Sequence, residues 1–143
     1  MTSRRLLLAG PSLAVPLLTV LLLAGCSSAQ SAADRSYAGL PESGGVPPEA
    51  EINAEPIAVW IEEDESFAVT TWGSSSCPAE PTSIETSDAG VVDIEFDTVS
   101  DGPCTADLAP NTSEFTVPGD VATSPLVITV RGVSEQPLEL VLD

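Results

Sequence analysis

The chain has 143 residues, with 22 acidic against four basic side chains, no histidine, and a formal net charge of −18 at pH 7. That balance excludes nucleic acid as a partner, because phosphate binding needs clustered Lys and Arg, and it excludes polybasic membrane attachment. Without histidine there is no Ser–His or Cys–His nucleophile pair and no His-ligated zinc, and no cofactor is implied.

Arg4 and Arg5 open a positive N-terminal region, and residues 6–23 are strongly apolar but interrupted by Pro11 and Pro16. Proline lacks an N–H and disturbs a helix, so the run suits the apolar part of a signal peptide better than a permanent membrane span. It ends in Leu23-Ala24-Gly25-Cys26, where narrow side chains fit a signal peptidase and a thiol is available to accept lipid. At all four positions this string resembles the lipobox of bacterial lipoproteins. The resemblance implies diacylglyceryl transfer to the sulfur of Cys26 and cleavage after Gly25, which makes residues 1–25 a signal peptide. Two acyl chains such as palmitate, at about 0.8 kcal/mol per buried CH₂, anchor a protein stably where one does not. The expected location is the cell membrane, lipid-anchored on its extracytoplasmic face. Ser3-Arg4-Arg5-Leu6-Leu7-Leu8 also looks like a loose twin-arginine export motif, with Leu7 in place of the more typical Phe; ordinary Sec export is the plainer reading.

After cleavage only Arg35 and Arg131 remain against all 22 carboxylates, a net charge of −20, so the lipid on Cys26 must do the anchoring. Cys77 and Cys104 are then an even pair in an oxidising compartment, which predicts a disulfide. The alternative, a free catalytic thiol, has no histidine to activate it. The bridge closes a loop of 28 residues and stabilises a domain this small by about 3–4 kcal/mol in the chain-entropy model.

Residues 26–51 read as the lipidated Cys26 followed by a flexible linker, rich in Ser, Ala, Gly and Pro and without apolar periodicity. Tyr37 and Leu40 are its only large apolar groups, either docked on the domain or idle. From residue 52 to 143 the pattern changes to short β-type runs bounded by turn residues. Residues 57–61 and 67–72 predict a hairpin across the acidic turn Glu62-Glu63-Asp64-Glu65. Residues 83–86 give a third strand, turning at Ser87-Asp88-Ala89-Gly90. Val91–Thr98 alternates, with Val92, Ile94 and Phe96 on one face and Asp93, Glu95 and Asp97 on the other, as a half-buried antiparallel strand does. Residues 114–117, 126–130 and 138–142 complete about seven strands, and no run predicts an amphipathic helix. The expected fold is all-β: a small antiparallel β-sandwich of immunoglobulin-like size with one disulfide. A small, partly open barrel is the alternative.

Trp72-Gly73-Ser74-Ser75-Ser76-Cys77-Pro78 is the most distinctive string. Together with Cys104-Thr105-Ala106-Asp107-Leu108-Ala109-Pro110 it resembles small secreted proteins and lipoproteins of actinobacteria, over about residues 67–117. The resemblance implies a fold and a compartment and carries no assigned activity. Physically, Gly73 frees the backbone at a strand end, the serines bond neighbouring backbone groups, and Asp107 caps a turn. The candidate binding loop is therefore Trp72, Gly73, Ser74, Ser75, Ser76 and Asp107; a serine nucleophile there lacks its usual bases. Glu62, Glu63, Asp64 and Glu65 are weak candidates for Ca²⁺, set against a solvated hairpin tip. Trp60 and Trp72 read as half-buried sheet residues, and Asn111-Thr112-Ser113 as a chance sequon. The expected role is a non-catalytic interaction or cell-envelope accessory module with a protein partner in the envelope; the alternative is a weak divalent-cation or small-ligand binder.

Overall fold

The computed structural model describes residues 31–143 apart from 89, 90, 99, 101, 120 and 122. The signal peptide, the lipobox and Cys26 lie outside the described residues. The described residues are all-β, with eight strands and one helical turn: β1 (Arg35–Ala38), α1 (Ala50–Asn53), β2 (Ile57–Glu62), β3 (Ser66–Gly73), β4 (Ala79–Asp88), β5 (Val91–Thr98), β6 (Ala109–Thr116), β7 (Leu126–Arg131) and β8 (Leu138–Leu142). Two four-stranded sheets, ordered β1-β6-β3-β2 and β4-β5-β7-β8, form a sandwich. Every pair is antiparallel except β5 and β7, which run parallel, with Val92 opposite Ile128 and Ile94 opposite Val130.

The core lies between the sheets. Val92, Ile94 and Phe96 from β5, and Leu126, Ile128 and Val130 from β7, meet Phe67, Val69 and Phe115 from the first sheet. Phe67 and Phe115 are opposite one another across the β3–β6 ladder, and their rings stack with centroids 5.3 Å apart. The alternation of β5 follows: Val92, Ile94 and Phe96 are buried, while Glu95 and Asp97 are exposed. Trp60 packs against the core from β2, half-buried, and its Nε1–H donates to the main-chain oxygen of Asp143 at 3.3 Å.

The region expected to be a free linker is tied to the domain from Ala32 onward. Ala32 N–H donates to Pro81 O at 2.8 Å, Asp34 N–H donates to Glu114 O at 2.9 Å, and residues 35–38 pair with β6 as an eighth strand. The segment after β1 then crosses the face of the first sheet that is turned away from the core. Gly39 O accepts from Thr112 Oγ1 at 2.7 Å. A Cβ on Gly44, which has φ +96°, would stand 2.8 Å from Val59 Cγ2 and 2.4 Å from Trp60 O. Beneath this strap Val59, Ala68, Thr70 and Thr112 are buried. Thr112 spends its one proton on Gly39, so Thr70 Oγ1, 2.8 Å away, donates to it.

The covering explains why residues 67–71 of β3 are buried without alternation: both faces of the strand are dry. It also explains how polar β6 sits in the middle of a sheet, since Thr112 is bonded on the strap side and Ser113 Oγ lies 3.0 Å from Ser36 Oγ on the other. At the outer end of β1, Arg35 and Tyr37 share one carboxylate. Tyr37 Oη donates to Glu114 Oε1 at 2.9 Å, Arg35 Nη2 reaches the same oxygen at 3.2 Å, and the guanidinium lies 4.5 Å above the phenol ring. Burial, reinforced by the bond to Glu114, pushes the Tyr37 pKa up.

Candidate functional site

β3 ends at Gly73 opposite Ala109, so the Ser74–Cys77 turn is delivered beside the start of β6. A 3.3 Å bond from Cys77 N–H to Ser74 O closes the turn. The Cys77–Cys104 disulfide then ties it to the loop between β5 and β6, with Cα atoms 5.4 Å apart. Cys77 is buried and Cys104 is exposed.

Around the bridge the side chains form one connected set. Ser75 N–H donates to Asp107 Oδ1 at 3.1 Å, and Thr105 Oγ1 donates to the same oxygen. Ser74, Ser75 and Ser76 hydroxyls all lie within 2.9–3.3 Å of Thr105 Oγ1. Thr105 N–H donates to Ser76 Oγ at 2.9 Å, so each loop bonds the other's backbone. The hydroxyl of Ser75, then that of Thr105, then the Ser75 N–H hold the exposed Asp107 carboxyl down at about 2. Hydrogen bonds to the charged form account for the direction, because burial acts weakly against it.

Sequence reasoning named Trp72, Gly73, Ser74, Ser75, Ser76 and Asp107, and the structure gathers them at this end of the sandwich. It missed Thr105, the hydroxyl that joins both loops, and Leu108, whose side chain is 66% exposed directly after Asp107. The only signal for Thr105 was its place next to Cys104. The signal that could have found Leu108 is an apolar residue outside any alternating run.

Trp72, Gly73, Ser74 and the disulfide also border an open recess of about 250 Å³, lined as well by Thr98, Gly132 and Val133. Gly132, with φ +82°, is required there: a Cβ would stand 1.9 Å from Phe96 O. Chemically the site offers hydroxyls, one fixed negative charge and an apolar lip. A carboxylate held at about 2 is too weak a base to activate a serine near neutral pH.

The other acidic candidates sit elsewhere. Glu62, Glu63, Asp64 and Glu65 are exposed at the β2–β3 turn, where Asp64 takes φ 62° and Glu65 N–H closes onto Glu62 O at 3.0 Å. No group of three or more His, Cys, Asp or Glu among the described residues is placed to hold a metal ion. Asp93 and Glu95 flank Arg131 on the outer face of the second sheet, with Arg131 Nη2 3.0 Å from Asp93 Oδ1. A hydrogen bond from Ser87 first, and Arg131 next, keep the Asp93 pKa low. Both arginines among the described residues are thus engaged with carboxylates. Asn111 and Thr112 of the sequon lie in the middle of the first sheet, with Asn111 Nδ2 3.4 Å from Ala79 O.

No family model, curated protein or solved structure matches the chain.

Proposed function

We propose that this chain is a lipid-anchored, extracytoplasmic, non-catalytic interaction module of the cell envelope, and that its contact surface is the disulfide-pinned loop pair. The observation that carries the reading is Leu108: a large apolar side chain, 66% exposed, on a loop fixed by the disulfide and the Thr105–Asp107 hydrogen bonds. A pre-ordered, exposed apolar group loses little freedom on binding, which is the arrangement of an interface anchor. The lipobox resemblance at Leu23-Ala24-Gly25-Cys26 supports the anchor and the compartment.

A second reading, a small-ligand binder, is favoured by the recess beside Trp72. Its volume of about 250 Å³ falls below the roughly 300–1,000 Å³ of ordinary ligand pockets, so a protein contact fits the site better.

The test places a photo-cross-linking amino acid at position 108 or, as a control, at the exposed position 141 in living cells. A discrete adduct from 108 alone, lost in the Cys104→Ser chain, is the expected result. Matching adduct patterns at both positions, or none at 108, refute the reading. Acyl labelling of the wild-type and Cys26→Ala chains tests the anchor separately; equal labelling removes it.

A further inference from the structure

The sheet orders, the packing of β2 against β8 and the bond from Ala32 N–H to Pro81 O together place β1 and β4 along one side of the sandwich and β2 and β8 along the other. Trp60 of β2 reaches Asp143, just beyond β8, on the second side. The chain enters on the first side. Ala32 N–H is held by Pro81 O of β4, and Ala33 packs on the core. Asp34 Oδ2 accepts both the N–H and the hydroxyl of Thr116, at 2.6 and 2.9 Å. The chain is therefore fixed to the domain from Ala32 onward. Only five residues separate Ala32 from Cys26, a reach of about 20 Å at full extension, whereas a linker free as far as Ile57 would reach about 100 Å.

We propose that the anchored domain lies on its side close against the bilayer, within that reach of about 20 Å, its β1–β4 edge turned to the lipid surface and its β2–β8 edge turned outward. The proposal rests on the lipid anchor at Cys26. Charge acts in the same sense. The near edge sets Arg35, 61% exposed and paired with Glu114, against Glu80 and Glu85 of β4, whereas the four consecutive carboxylates Glu62, Glu63, Asp64 and Glu65 stand on the far edge. Over anionic headgroups the far tip is repelled more strongly than the near edge, within a Debye length of about 8–10 Å. The edges are three strand spacings apart, about 14 Å. The disulfide-pinned loops close the strand ends, so they face along the membrane plane, toward a partner held in the same membrane.

The test uses the full lipidated chain, extracted from membranes and reconstituted in vesicles of phosphatidylcholine and phosphatidylglycerol that carry a headgroup acceptor dye. A donor dye is placed through a non-natural amino acid at Thr82, exposed on β4, or at Glu63, on the far tip. Transfer several-fold stronger from 82 than from 63 is expected, with most of the difference lost when a long Gly/Ser segment is inserted after Gln30. Equal transfer from both sites, or stronger transfer from 63, overturns the orientation while leaving the anchor intact. A chain that fails to float with the vesicles overturns the anchor, and the orientation falls with it.

Discussion

Replacing both bridge cysteines, Cys77→Ser with Cys104→Ser, removes a constraint whose size follows from the loop it closes. The two residues are 27 apart in sequence, a closed loop of 28 that contains β4 and β5. With about 2.1 cal/mol/K plus 1.5R ln n of entropy for n of 28, the unfolded chain gains about 3.6 kcal/mol at 25 °C. A second contribution is local: the Ser75–Asp107 and Thr105–Ser76 bonds cross between the two loops that the bridge holds together. For a domain of this size the loss lowers Tm by about 15–25 °C. Urea unfolding of a chain starting at Ser27, with and without reductant, is the assay. The reduced wild-type and the double-serine variant are expected to agree, with an unchanged core signal from Trp60. A loss below about 1 kcal/mol would show that the unfolded chain is already confined there, and would refute the loop-closure account.

Further outcomes follow from the strap, the site and the core. Gly44→Ala is expected to cost about 3 kcal/mol or more, because overpacking against Trp60 O and Val59 adds to left-handed strain, whereas Gly45→Ala, at φ +66° with open space around it, costs about 1–2 kcal/mol; equal losses in urea titrations would show that the strap does not press on β2. Asp107, at about 2 in the folded chain against an ordinary value of 3.8, stabilises the fold above about pH 4 and loses that contribution as pH falls through about 2. Carbon-detected titration should find its midpoint near 2 and, in Ser75→Ala, closer to 3.8; an unmoved midpoint would remove the hydroxyl bond from the account. Phe67→Ala is expected to cost about 3–5 kcal/mol, and Leu108→Ala within about 0.5 kcal/mol. A large loss of stability on Leu108→Ala would mean that this side chain serves the fold instead.

Strands with one wet face were legible in the sequence. Val91–Thr98 and Leu138–Leu142 match residue for residue, because solvent on one side forces period-two alternation. The disulfide was legible from counting cysteines in the expected compartment. β1 was not, because nothing in Arg35-Ser36-Tyr37-Ala38 is periodic; the strand exists because the free edge of β6 accepts it. The first half of β6 was hidden for a related reason. Pro110, Asn111, Thr112 and Ser113 look like a loop until the strap and Ser36 supply partners for the hydroxyls. The parallel β5–β7 pair is a property of the connection between them, which alternation within a strand does not record. At the site, the serines and Asp107 could be named from the string around each cysteine, but only the folded chain shows that Thr105 is where the two loops meet.

The same N-terminal strand sets the order in which the molecule can be completed. β1 must wait for β6, 77 residues downstream at Ser36 and Ser113, whereas the β2–β3 and β4–β5 hairpins close over short loops. Local pairings form before distant ones, since loop closure grows costlier with length. The first strand of the chain is therefore the last to be seated, and until it is, the strap-side surface around Val59 and Ala68 stands open to water. Pulse-labelling hydrogen exchange would show this as late protection of the Arg35–Ala38 amides, after those of β4 and β5.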